Sequence, residues 1–117
     1  MASDRDRIDA HLPLRPVEFH ILLSLAAGNR HGFGIIEDIE ARGDVAVPDV
    51  GTMYRALARM AESGLIEAAP SPESADPRRS YYAITTIGTR VAKAEARRLD
   101  ALARAARLGG LLNKKTT

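Results

Sequence analysis

A chain of 117 residues with 17 basic and 15 acidic side chains is one small domain of formal charge +2, large enough for a modest core but short of comfortable independent stability. The absence of cysteine excludes a disulfide framework and a thiolate metal site. The charged opening MASDRDRID argues against secretion, and no run approaches the roughly 18 apolar residues of a membrane span, so a soluble, cytoplasmic protein with no membrane partner is expected. The small net charge hides an asymmetry: Glu37 to Asp76 holds 9 acidic and 3 basic residues, whereas Arg78 to Arg107 holds 2 acidic and 8 basic ones. That imbalance permits a polyanionic partner, although a solvated basic helix face produces the same pattern.

Residues 1–14 mix Asp4, Arg5, Asp6 and Arg7 with Ile8, Leu12 and Leu14 and read as a flexible N-terminal arm. Pro16 opens a helix to about Ala27, with Phe19, Leu22, Leu23 and Ala26 on one stripe that Ile21 and Leu25 widen. Gly28 to Gly32 make a turn, and Phe33, Ile35, Ile36 and Ile39 start a second helix ending near Arg42 and Gly43. His31 lies in that tight corner, where a local bond to backbone is the expected role. Val45 to Pro48 form a short connector.

The segment from Asp49 to Gly64 reads as a third helix over Val50 to Ser63, with Asp49 as N-cap and Gly64 as the left-handed residue that ends it. At 100° per residue, Met53, Ala56, Leu57, Met60 and Ala61 form an apolar stripe, and Gly51, Arg55, Ala58, Arg59 and Glu62 the opposite face. The outward side therefore starts with Gly51 and Thr52 at the positive end of the helix, followed by Arg55 and Arg59 on successive turns with Tyr54 at the border. Such a face suits a phosphate-flanked groove, and equally describes an ordinary solvated helix.

Leu65 to Ala69 and Ser80 to Thr85 read as a two-stranded ribbon with a long, proline-rich tip. Its return carries Arg78 and Arg79 behind Asp76 and Pro77, which stiffen the approach. Consecutive residues on an extended segment point apart, so one arginine is expected to reach outward while the other turns to the protein's own acidic side chains. Tyr81 and Tyr82 should likewise split, one packed and one free. Thr85 or Thr86 caps a last helix to about Leu108, stopped by Gly109 and Gly110. Its broad apolar half, with Ile87, Val91, Ala94, Leu99, Leu102, Ala105 and Ala106, exceeds what a small domain covers, and a second copy is the sensible partner. The dimer contacts are accordingly placed at Val91, Leu99, Leu102 and Ala106.

Three helices, a ribbon and a long last helix describe a mainly α winged helix-turn-helix with a two-stranded wing: arm 1–14, winged helix-turn-helix domain 15–85, dimerisation helix 86–112 and tail 113–117. In order and spacing, ILLSLAAG at Ile21 to Gly28, HGFGI at His31 to Ile35, GTMYRAL at Gly51 to Leu57, GLIE at Gly64 to Glu67, DPRRSYYAIT at Asp76 to Thr85, and Gly88 resemble the PadR family of bacterial transcriptional regulators, in its short form with a single C-terminal helix. The resemblance covers roughly Leu12 to Leu112. It implies a homodimeric, ligand-responsive repressor acting on double-stranded DNA at an inverted-repeat operator. It places Gly51, Thr52, Tyr54, Arg55 and Arg59 in the major groove and Arg78 and Arg79 of the wing on an adjacent backbone or minor groove. The chain departs from the family at Phe33, where tyrosine is common, and at Val50, where proline is common. Phe33 keeps the ring and Val50 keeps a β-branched helix start.

The other chemistries have less support. His11, His20 and His31 fall on the arm, the first helix and a turn, without metal-ligand spacing, and no nucleophile elbow, phosphate-cradling loop or carboxylate pair occurs. No enzyme activity, metal or cofactor is expected. A small-molecule effector remains a partner of unstated identity; some small relatives hold flat aromatic compounds in the dimer cleft against a tryptophan on the last helix, and this chain has no tryptophan. The competing reading is a winged helix that serves only protein interaction or dimerisation, which leaves Arg55, Arg59, Arg78 and Arg79 unexplained.

Overall fold

A computed structural model describes residues 3–43 and 48–113. In chain order these form α1 (Asp4–Asp9), α2 (Pro16–Ala26), β1 (Arg30–His31), α3 (Gly32–Ala41), α4 (Val50–Glu62), β2 (Ile66–Ala69), β3 (Tyr81–Ile84) and α5 (Thr86–Leu108). The small antiparallel sheet has the order β1-β3-β2, with Ile66 opposite Ile84, Ala69 opposite Tyr81, and Arg30 opposite Tyr82. The architecture is thus mainly helical, a winged helix with a long C-terminal helix. The connector residues Val45, Ala46 and Val47 lie outside the described residues.

The core gathers around α4. Met53, Ala56, Leu57 and Met60 are buried against Ile21, Leu22 and Leu25 of α2 and Ile35 and Ile39 of α3, and Leu14, Leu65, Ile66 and Val91 complete the cluster. Each of the larger side chains, Ala56 apart, contributes about 1.5 to 3 kcal/mol through removal from water. Ala61, expected on the α4 stripe, is exposed instead, because it sits at the stripe's far edge and its single methyl falls short of the cluster.

The exit from α4 is fixed by a tight junction. Gly64 takes φ +82°, and the Thr85 hydroxyl donates to the Gly64 carbonyl at 2.6 Å while accepting from the Gly88 amide at 2.9 Å. A Cβ on Gly88 would stand 2.0 Å from the Leu65 carbonyl oxygen, so only glycine lets the first turn of α5 lie against that backbone. The end of α4, the wing and α5 therefore meet at one point.

Four expectations are corrected. The stretch expected to form a flexible arm contains α1, capped by a reciprocal Ser3–Asp6 box and packed on α5 with an Asp4–Arg90 ion pair of 3.4 Å. On α2 the buried face is Ile21, Leu22, Ser24 and Leu25, while Leu23 and Ala26 are exposed. A helix apolar nearly all round offers no periodicity to choose a face. The ribbon carries a third strand, β1, which was read as a turn; two residues are too short to show an alternating pattern. Both Tyr81 and Tyr82 are half-buried: Tyr82 packs against the core, and the Tyr81 ring meets the His31 ring that β1 brings beside it.

Glu95 is the one buried carboxylate among the described residues, at 1% exposure. Its Oε2 accepts the Leu14 amide at 2.8 Å and the Arg98 Nη2 at 3.1 Å, tying the end of the arm to α5. The Arg98 hydrogen bonds hold its carboxyl below the usual range against the opposing effect of burial. A depressed folded value means that the stabilisation is complete above the ordinary glutamate range of about 4.3 and is lost as pH falls through the folded value. Glu95→Gln is therefore expected to cost about 1 to 3 kcal/mol at neutral pH. Denaturation across a pH series should show the variant and wild-type curves drawing together only as the pH falls below the usual glutamate range and through the depressed folded value.

Candidate nucleic-acid interface

The cap on α4 builds the first half of the site. Asp49 Oδ1 accepts the Thr52 amide at 2.7 Å and its Oδ2 the Thr52 hydroxyl at 3.1 Å. These hydrogen bonds, the backbone one first, hold the Asp49 carboxyl below its usual range. Thr52 Oγ1 in turn accepts Arg55 Nη2 at 3.3 Å, and the guanidinium folds over Gly51, where a Cβ would meet Arg55 Nη1 at 3.1 Å. Gly51, Arg55, Ala58, Arg59 and Glu62 are all exposed, as the spacing predicts. α4 thus carries a carboxylate-capped start, a glycine and, on successive turns, two long cations on one outward face.

Tyr54, 41% exposed, turns from α4 toward the start of α3. A Cβ on Gly32 would lie 2.6 Å from the Tyr54 hydroxyl, so this glycine makes room for the ring. Tyr54 shares a cleft of about 370 Å³ with His31, Phe33, Asp76, Arg78 and Arg79, which places the helix and the wing tip on either side of one opening.

The two wing arginines differ. Arg78 is gripped by Asp76, Nε to Oδ1 at 3.1 Å and Nη2 to Oδ2 at 3.0 Å, yet its side chain stays 88% exposed. The same pair lowers the Asp76 carboxyl and raises the Arg78 guanidinium relative to their ordinary values. Arg79 turns inward, with Nη1 at 2.7 Å from His31 Nε2 and its guanidinium carbon 5.8 Å from the Phe33 ring centre. The split expected of the pair is present with different partners: the acid holds the outward arginine, and the inward one rests on two rings.

His31 bonds locally, as expected of its corner: it caps α3, its Nδ1 accepting the Gly34 amide at 2.9 Å. The sequence did not reveal that His31, Gly32 and Phe33 meet both Tyr54 and the wing, since no periodic signal links residue 31 to residue 79. Of the residues assigned to the dimer, Val91 is corrected: it is fully buried in the protomer's own core. Leu99 and Leu102 are exposed by 39% and 55%, and Ala106 is half-buried.

Helices α2 to α4, the ribbon after α4 and the long α5 define a winged-helix regulator. Residues 21–94 match the model of the transcriptional regulator PadR-like family, and the chain belongs to that family. A transcriptional regulator from Clostridium thermocellum is 27% identical, with a TM-score of 0.67 over 92% of this chain and 95% of that one. A PadR family transcription regulator from Clostridium difficile is 25% identical, with a TM-score of 0.69 over 79% and 95%. Bacillus subtilis PadR in complex with operator DNA shares the fold at 19% identity, with a TM-score of 0.57 over 65% and 44%. No curated protein matches the chain. Among the described residues no helix is long and apolar enough to cross a membrane.

The Asp49 cap gives a direct test of how the site is built. Asp49→Ala should lower the thermal midpoint by on the order of a few degrees, whereas Asp49→Asn, still able to accept the Thr52 amide, should lie close to wild type. Calorimetry on the two variants reads the difference.

Proposed function

We propose that this protein is a homodimeric repressor that binds an inverted-repeat operator, with α4 in the major groove and the wing on the flanking backbone. The observation that carries the reading is the placement of Arg55 and Arg59 on the free face of a helix whose other face is locked in the core. Arg78 and Arg79 of the wing line the cleft that Tyr54 of α4 borders on its other side, so the wing cations lie beside the helix that carries Arg55 and Arg59. The α4 start itself is capped by Asp49, so the phosphate contacts fall to the arginines: Arg78, held by Asp76 through Nε and Nη2, keeps Nη1 for one. A ligand-responsive repressor fits this arrangement, with an effector that alters the spacing of the two recognition helices.

The dimer reading rests on surface left uncovered. Leu99 and Leu102 project from the distal half of α5, and an apolar groove of about 220 Å³ runs between α2 and α5, lined by Phe19, Leu23, Ala26, Ala92 and Ala96 among others. Across a two-fold axis the exposed leucines of one copy have a groove to fill on the other. A winged helix devoted to protein interaction alone would use the same surfaces but would need no cations around the α4 cleft.

Arg55→Ala should weaken binding to the protein's own upstream region by about 1 to 3 kcal/mol. Gel shifts on a panel of base-substituted duplexes separate the two forms of this effect: base preference relaxes if Arg55 reads a base edge, and all sequences weaken alike if it holds phosphate. Unchanged affinity for every duplex would remove Arg55 from the interface.

Leu99→Asp with Leu102→Asp places two carboxylates in the proposed seam, where burial without partners is costly. Sedimentation should show a dimer for wild type and a monomer for the double variant. An unaltered dimer, or a monomeric wild type, contradicts the assignment.

A further inference from the structure

Arg79, exposed like Arg78, lies back against α3 and the corner before it, where His31 and Phe33 form a seat for its guanidinium. His31 Nδ1 already accepts the Gly34 amide at 2.9 Å, so that nitrogen carries no proton, and Arg79 Nη1 lies 3.2 Å from it and 2.7 Å from Nε2. The guanidinium therefore spans the imidazole rather than occupying one lone pair. On its other side it faces the Phe33 ring at 5.8 Å. His31 is itself fixed three ways: it caps α3, pairs in β1 with Tyr81, and meets the Tyr81 ring edge-on at 5.2 Å. A planar, weakly hydrated guanidinium suits such a seat and an ammonium does not.

The tip it holds has little else. Between β2 and β3 the chain runs from Pro70 to Ser80, and its ties are local: the Ala75 and Arg79 amides to Pro72 and Asp76 carbonyls, the Arg78 amide to Asp76 Oδ1 at 2.9 Å, and Ser71 Oγ to the Arg79 carbonyl at 3.4 Å. Arg79 is the contact that carries this loop back to α3, beside Tyr54 of α4.

We propose that Arg79 is a positioning residue, a latch seated on His31 and Phe33 that sets the wing tip against the recognition helix, and that Arg78 is the arginine left to touch DNA. The exposed ring of Phe33, 48% accessible, is then accounted for as the latch's seat. The DNA part of this inference rests on the function proposed above. The latch itself does not, and can be tested without DNA.

The experiment pairs amide hydrogen exchange of the free protein with operator titration for Phe33→Leu, His31→Asn, Arg79→Ala, Arg79→Lys and the Phe33→Leu/Arg79→Ala double variant. Asparagine keeps an acceptor for the α3 cap. Phe33→Leu, on α3, is expected to speed exchange of the Arg78 and Arg79 amides at the distant tip while leaving core amides of α2 and α4 unchanged. His31→Asn should do the same. Each single variant should weaken operator binding roughly tenfold, and the double variant should be no weaker than Arg79→Ala alone, because one contact is being removed twice. Arg79→Lys, which keeps the charge, should fail to restore either readout.

Wild-type tip exchange in Phe33→Leu overturns the latch. Restoration of affinity by Arg79→Lys overturns it as well, and returns Arg79 to the role of a phosphate contact. If wild type binds no duplex, the proposed function fails while the exchange measurement still decides the latch.

Discussion

Burial of Met53, Ala56, Leu57 and Met60 along one side of α4 is the constraint from which the rest of the molecule follows. The four side chains engage α2 and α3 at once, so the helix cannot roll by even one residue without moving a large apolar group into water or a charged one into the core. Fixing the roll fixes which residues look out. Arg55 and Arg59 are thereby presented, and their directions are set by hydrophobic contacts on the opposite side of the same helix. The Thr85 and Gly88 junction then joins the end of α4 to both wing and α5, which makes the orientation of the outward face a property of the whole domain.

Such an arrangement separates stability from recognition. The apolar residues that hold α4 are inaccessible, and the outward cations Arg55 and Arg78 make few contacts that stabilise the fold. Arg55 reaches only Thr52 among the described residues, and Arg78 only Asp76. Exposed pairs of this kind contribute little to stability. In the proposed reading, their value lies in keeping long side chains ordered near the place where a phosphate or base edge would arrive. Arg79 differs, since its partners belong to a separate element and its contact couples the wing to the helical part.

Much of this was legible in the sequence, for identifiable reasons. The α4 and α5 boundaries follow from caps that are chemically explicit: Asp49 before the first, Thr85 before the second, and glycines after each. The amphipathic pattern of α4 is strong enough to sort its faces, apart from Ala61 at the edge. α2 shows the converse, since a helix with apolar residues on every side leaves its orientation to tertiary packing. α1 was missed because its charged residues look like those of a free arm; the docking of that arm depends on Glu95, more than eighty residues away. Val91 was placed in the dimer seam because a helical stripe reads the same whether it meets its own domain or another. The roles of His31, Gly32 and Phe33 in the site are tertiary throughout, visible only once β1 pairs with β3 and the wing folds back. For the same reason, the family resemblance was readable from ordered blocks, while the division of labour between Arg78 and Arg79 required coordinates.

The central claim, that the face carrying Arg55 and Arg59 reads duplex DNA as part of a two-fold dimer, is tested most directly by footprinting the protein on its own upstream region against a scrambled duplex of equal composition. The account predicts two protected half-sites with centres about one helical turn, or a multiple of it, apart. It further predicts two chains per protected site and an affinity that falls steeply with added salt. Equal, unstructured protection of both duplexes, or none on either, would contradict it.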